Sequence, residues 1–145
     1  MDRAKILLRW SLGAVLLLLG AVGLVEYATT GYDPLNEGIQ QYEERFKTLF
    51  NALMLSYIGP AIRLFHVGIG LLLLTRRWWW IALLLHLPFA FNILAIHLLY
   101  DLPPANGLFF AVGLFVSLAT FGLVAAEPQR LRSLAVMAPM RAHRK

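Results

Sequence analysis

Four long apolar segments divide this chain, at about 6–26, 49–75, 78–100 and 107–126, and positive charge alternates strictly between the connections. Each segment is long enough to cross a hydrocarbon core of about 30 Å as a helix. Lys and Arg gather before the first segment (Arg3, Lys5, Arg9), between the second and third (Arg76, Arg77), and after the fourth (Arg130, Arg132, Arg141, Arg144, Lys145). The other two connections hold Arg45 and Lys47 against Glu26, Asp33, Glu37, Glu43, Glu44 and Asp101. Ten basic residues therefore fall on one side and two on the other, with Arg63 inside a span. The positive-inside rule turns this asymmetry into a topology with both termini in the cytoplasm. The expected fold is all-α, an integral membrane four-helix bundle forming a single domain over 1–145. It carries a basic cytoplasmic tail at 128–145 and belongs in a bacterial-type inner membrane.

Composition excludes several alternatives. Charged residues make up 14 % of the chain and hydrophobic ones 59 %, where a soluble domain carries about a quarter charged. The apolar residues run all round the expected helices, so these helices need protein or lipid on every side. A net charge of +5 would by itself be compatible with nucleic acid. The excess falls in connections and tail that face anionic lipid, so no nucleic-acid partner is expected. With no cysteine, disulfides, thiolate metal sites and iron–sulfur clusters are excluded. The first segment is too long for a typical signal-peptide core, and no small-x-small site follows it, so it reads as a retained span.

Local signals refine the helices. Gly20 and Gly23, with Ala14 and Ala21, offer small surfaces for close helix approach on the first span, and Gly113, Ser117, Ala119 and Gly122 do so on the fourth. Asp33-Pro34 starts a helix well. Leu35, Ile39, Tyr42, Phe46 and Leu49 then recur every three or four residues, giving an outer amphipathic helix at about 34–47 that lies on lipid or covers a pocket. Gly59-Pro60 either kinks the second span or breaks it. Thr75-Arg76-Arg77 is a short turn, which makes an antiparallel hairpin of the second and third spans. Trp78, Trp79 and Trp80 then read as an interfacial anchor.

Function must rest on the polar residues that a bilayer penalises. Counting from the turn, His66 and His86 both lie roughly 15 Å into the bundle, and Arg63 and Asn92 both roughly 21 Å. His66 and His86 have the placement of a bis-imidazole haem or chlorin site, or each bonds a neighbouring backbone group. The histidine spacing gives no metal site. Arg63 is always charged and needs a partner. Glu26 and Asp101 are in reach for a structural ion pair. Alternatively, Arg63 donates to a quinone head group or other anionic or carbonyl ligand, with Asn92 beside it and His97 and Asp101 as a proton relay.

The order of these features resembles the DoxX-like membrane proteins. Arg9-Trp10-Ser11-Leu12-Gly13 is similar to their R-x-x-x-G opening. The run from Tyr57 through Pro60 and Gly70 to Leu74 is similar to their G-Y-[LI]-x-P…E-x-x-x-G-x-L-L-L segment. Pro88, Asn92, Ile93 and His97 match P-x-x-x-N-I-x-x-F-H. The sequence departs by placing His66 where many members have an acidic residue, and by a rearranged pattern around Gly59. The resemblance implies four spans and an association with quinone- or thiosulfate-linked oxidoreductase systems. No catalytic residue carries over. The expectation is a small accessory or structural subunit of a larger membrane complex, held by lipid and other membrane subunits and more readily non-enzymatic than enzymatic. Alternatives are a quinone-site oxidoreductase component and a haem- or pigment-binding protein.

Overall fold

The computed structural model describes residues 2–30, 48, 58–100 and 107–133. Among them are no strand and four long helices, α1 (Arg3–Thr30), α2 (Ile58–Leu74), α3 (Trp79–Tyr100) and α4 (Gly107–Ala125), with a further helical stretch at 128–133. α1 runs slightly beyond the first apolar segment at both ends, and α3 and α4 end within a residue of theirs. The amphipathic helix expected at 34–47, the first part of the expected second span at 49–57, the connection at 101–106 and the tail beyond 133 lie outside the described residues.

Local chemistry sets the ends. Asp2 caps α1 by accepting from the Ala4 amide at 3.4 Å through its side chain and from the Ile6 amide at 3.2 Å through its carbonyl. Thr29 donates back to the Val25 carbonyl at 2.9 Å near the other end. Pro60 is the third described residue of α2, and the backbone before Ile58 lies outside the described residues. The turn into α3 is organised by Thr75, whose hydroxyl donates to the Leu72 carbonyl at 2.7 Å and accepts from the Trp78 amide at 3.2 Å.

Contacts between helices fix an up-down-up-down order. Gly13 meets Gly70 and Leu73, whereas Gly20 and Gly23 meet Arg63, so α1 and α2 run antiparallel. His86 pairs with Thr120 and Ala90 with Ser117, which makes α3 and α4 antiparallel too. Lys5 reaches Ala126 and Glu127, returning α4 to the start of α1. α1 pairs most extensively with α2, and α3 with α4. The core is built from Leu12, Leu16, Ile69, Leu73, Leu83 and Leu123.

Glycine makes the α1–α2 crossing close. A side chain at Gly70 would sit 2.7 Å from the Leu17 nitrogen and 2.8 Å from the Gly13 carbonyl oxygen, and one at Gly20 would sit 2.7 Å from the Arg63 carbonyl oxygen. On α2 the buried face is Gly59, Arg63, His66, Gly70 and Leu73, with Ile69 beside it. On α1 it is Arg9, Leu12, Gly13, Leu16, Gly20 and Gly23. Both stripes follow the three-and-four spacing of a helix face.

Polarity is inverted relative to a water-soluble bundle. Arg9, Arg63, His66, His86, Ser117 and Thr120 are buried, while Leu7, Leu18, Val25, Leu64, Phe91 and Leu118 are at least 59 % exposed. α1 and α3 are long and apolar enough to cross a membrane, and α2 and α4 are shorter apolar helices. The three tryptophans divide by helix rotation. Trp78 is 46 % exposed, but Trp79 and Trp80 are buried, because consecutive residues turn by about 100°. One of the triplet is thus on the surface and two are in the core.

Candidate functional site

The centre of the bundle holds two histidines from adjacent helices. His66 on α2 and His86 on α3 are 7 % and 0 % exposed, with ring centroids 6.0 Å apart in an edge arrangement. Equal distance from the Thr75 turn carries them to one level, because helix rise is fixed. Phe65 and Phe89 stack at 4.3 Å against the pair, and Phe89 meets the His66 ring edge-on at 6.4 Å.

α4 fixes the state of one imidazole. The Thr120 hydroxyl donates its single proton to the Val116 carbonyl at 2.7 Å, so its oxygen accepts from Nδ1–H of His86 at 3.0 Å. In the neutral ring this leaves Nε2 of His86 with a lone pair. That atom and both nitrogens of His66 are sealed from solvent and have no hydrogen-bond partner. Nearly all buried side-chain polar atoms in proteins have one, so three together mark a place to explain.

The other sequence-derived residues separate. Arg63 is 4 % exposed and lies in the α1–α2 interface, where its Nε and Cδ fill the space a side chain at Gly23 would take. Glu26 stands three residues beyond Gly23 on the same face of α1 and is half-buried. Asn92 is exposed and turns back onto its own helix, its amide donating to the Pro88 carbonyl at 3.0 Å. It matches Arg63 in depth but not in facing. Asp101 and the side chain of His97 lie outside the described residues.

Sequence reasoning missed two groups. Ser117 and Thr120 share a face of α4, three residues apart, and Ser117 donates to the Ala90 carbonyl at 2.9 Å. Their spacing beside Gly113 was the available signal. The second group is a cation cluster at the end where α1 begins, α2 turns into α3 and α4 ends. The Arg9 guanidinium lies 5.7 Å from the Trp79 ring centroid and that of Arg130 5.3 Å from it, with Arg130 also 5.9 Å from Trp80. Arg77 lies 5.2 Å from the Trp78 ring. Glu127 accepts from Lys5 at 3.3 Å and from Arg130 at 3.2 Å. Described members of the three basic clusters that alternate along the sequence, Lys5, Arg9, Arg77 and Arg130, thus meet at one end of the bundle.

No family model matches the chain, and neither a curated protein nor a solved structure matches it. Among the described residues, no group of three or more His, Cys, Asp or Glu side chains is placed to hold a metal ion.

Proposed function

We propose that the chain is a four-span membrane protein acting as a non-catalytic subunit of a larger membrane assembly. The observation that carries this reading is that Arg9, Arg63, His66 and His86 are buried within the bundle while large leucine, valine and phenylalanine side chains stand on its surface. Water would not stabilise such a surface, whereas lipid tails or other apolar helices would. α1 and α3 are long and apolar enough to cross a bilayer, and the described parts of α2 and α4 add about 26 Å and about 29 Å of apolar helix. The resemblance to DoxX-like proteins supplies the kind of assembly, one linked to quinone chemistry. Arg63 spends its side chain on the α1–α2 interface and Asn92 caps a proline carbonyl. Both serve the helices directly, which favours a structural over a quinone-site role.

The test is the composition of the particle extracted in mild detergent. The expected result is co-purification of at least one further membrane subunit in fixed stoichiometry. A chain that elutes only as a monomer from native membranes would remove the assembly reading.

The unpartnered imidazole nitrogens favour a second reading, a haem or chlorin held by His66 and His86. The donor chemistry suits it, since neutral imidazole is an axial ligand. The shape does not: all three nitrogens are sealed inside the bundle, and a macrocycle would have to part α2 from α3. Purified protein is accordingly expected to lack a Soret or chlorin band. A stoichiometric band lost in His86→Leu would reverse the ranking.

A further inference from the structure

Among the described residues, the cation cluster at the charged end has more positive groups than carboxylates. Arg9 is 4 % exposed, and its Nε is sealed without a hydrogen-bond partner. Its guanidinium rests on the Trp79 ring, and a ring face holds a cation without neutralising it. The carboxylate in the cluster, Glu127, is already engaged by Lys5 and Arg130. Arg76 adds another positive charge here, exposed in the α2–α3 turn three residues before the Trp79 ring on which Arg9 rests. A guanidinium does not relieve this by losing its proton. An anion from outside the chain would.

Position and shape identify that anion. The cluster sits at an apolar helix end beside Trp78, Trp79 and Trp80, the level at which a membrane protein meets lipid headgroups. By the charge rule this end faces the cytoplasmic leaflet, where anionic lipids concentrate. The planar fork of Arg matches phosphate oxygens two at a time, and the cluster's described carboxylate, Glu127, is held by Lys5 and Arg130. The exposed apolar side chains Leu7, Trp10 and Trp78 lie near the same end to receive acyl chains. We propose that Arg9 and Arg76, over the Trp79 ring, bind the phosphodiester of one anionic glycerophospholipid. The proposal rests on the membrane reading but specifies a site rather than a general attraction.

The experiment uses the full chain, delipidated in neutral detergent, with phosphatidylglycerol and phosphatidylcholine added at equal concentration and retention read by native mass spectrometry. One phosphatidylglycerol should be retained in preference to phosphatidylcholine. Arg9→Gln and Arg76→Gln should each lower that preference by about tenfold, as expected for a lost charge-assisted bond. Arg132→Gln, which removes an exposed charge outside the cluster, should leave it unchanged. Far-UV circular dichroism checks the fold of Arg9→Gln, and Arg76→Gln changes an exposed turn, so the test survives if the first variant misfolds.

Equal retention of the two lipids would overturn the proposal. So would wild-type retention in both cluster variants, or an equal loss in all three. Displacement of the lipid by millimolar inorganic phosphate would assign the cluster to a free anion instead. Flotation with phosphatidylcholine vesicles tests the membrane reading separately, because insertion does not depend on this site.

Discussion

Gly70→Leu should lower the unfolding free energy of the bundle more than any other single apolar replacement on α2. Even a Cβ at this position would stand 2.7 Å from the Leu17 nitrogen and 2.8 Å from the Gly13 carbonyl oxygen. Both neighbours are main chain, so no rotamer change relieves the clash, and the helices must separate. Overpacking costs about 1–3 kcal/mol where side chains can adjust, and here they cannot, so a loss of at least about 3 kcal/mol is expected. Between apolar helices in lipid, close packing is itself the attraction. Losing the crossing therefore removes the force as well as adding strain. Gly20→Leu should act alike, because the Arg63 carbonyl oxygen and the Val67 nitrogen stand in its way at 2.7 and 2.8 Å. Gly23→Ala should cost less, since it meets the Arg63 side chain. Gly68→Ala and Gly122→Ala meet nothing within 4 Å, and should be neutral or stabilising by up to about 1 kcal/mol through helix propensity. Denaturant titration in detergent reads all five. Equal loss at Gly68 and Gly70 would show that the close crossing is not the source of stability.

These glycines also show where the sequence is legible. Gly13, Gly20 and Gly23 recur at helix spacing, and small residues at that spacing are enough on their own to imply close packing. Axial position is equally legible, because rise per residue is constant: counting from Arg76-Arg77 brings His66 level with His86, and the rings lie 6.0 Å apart. Rotation is not legible. Asn92 matches Arg63 in depth yet faces outward, because the α1–α2 and α3–α4 contacts set how each helix turns about its axis. The same gap hides Arg9, which looks like one more flanking charge beside Arg3 and Lys5. Its place in the stripe with Leu12, Gly13, Leu16, Gly20 and Gly23 is the signal that it points inward. Thr120 is hidden for a different reason. A hydroxyl on an otherwise apolar helix bonds its own turn as readily as a neighbour, and here it does both.

His66→Leu should stabilise the bundle, and the sign of that change separates a structural histidine from one retained for a task. A neutral imidazole brings one N–H and one lone pair, and both nitrogens of His66 are sealed without partners. A buried unmade hydrogen bond costs about 1–3 kcal/mol. Leucine removes that cost and still packs against Phe65 and Phe89, so a gain of about 1–2 kcal/mol is expected. Thr120→Val should do the opposite. It deletes the acceptor of Nδ1–H on His86 and strands a second imidazole, for a loss of about 1–3 kcal/mol. Paired denaturation curves in one detergent compare the two directly, with solvent and unfolded state held the same. A loss of stability in His66→Leu larger than in Thr120→Val would mean that the native protein satisfies those nitrogens, and that the imidazoles support the fold. A gain would mean the chain tolerates a destabilising pair at its centre. Natural sequences do not sit at their stability optimum, so a gain would make His66 and His86 the first pair to test for a bound group, by the absorbance and His86→Leu measurements above.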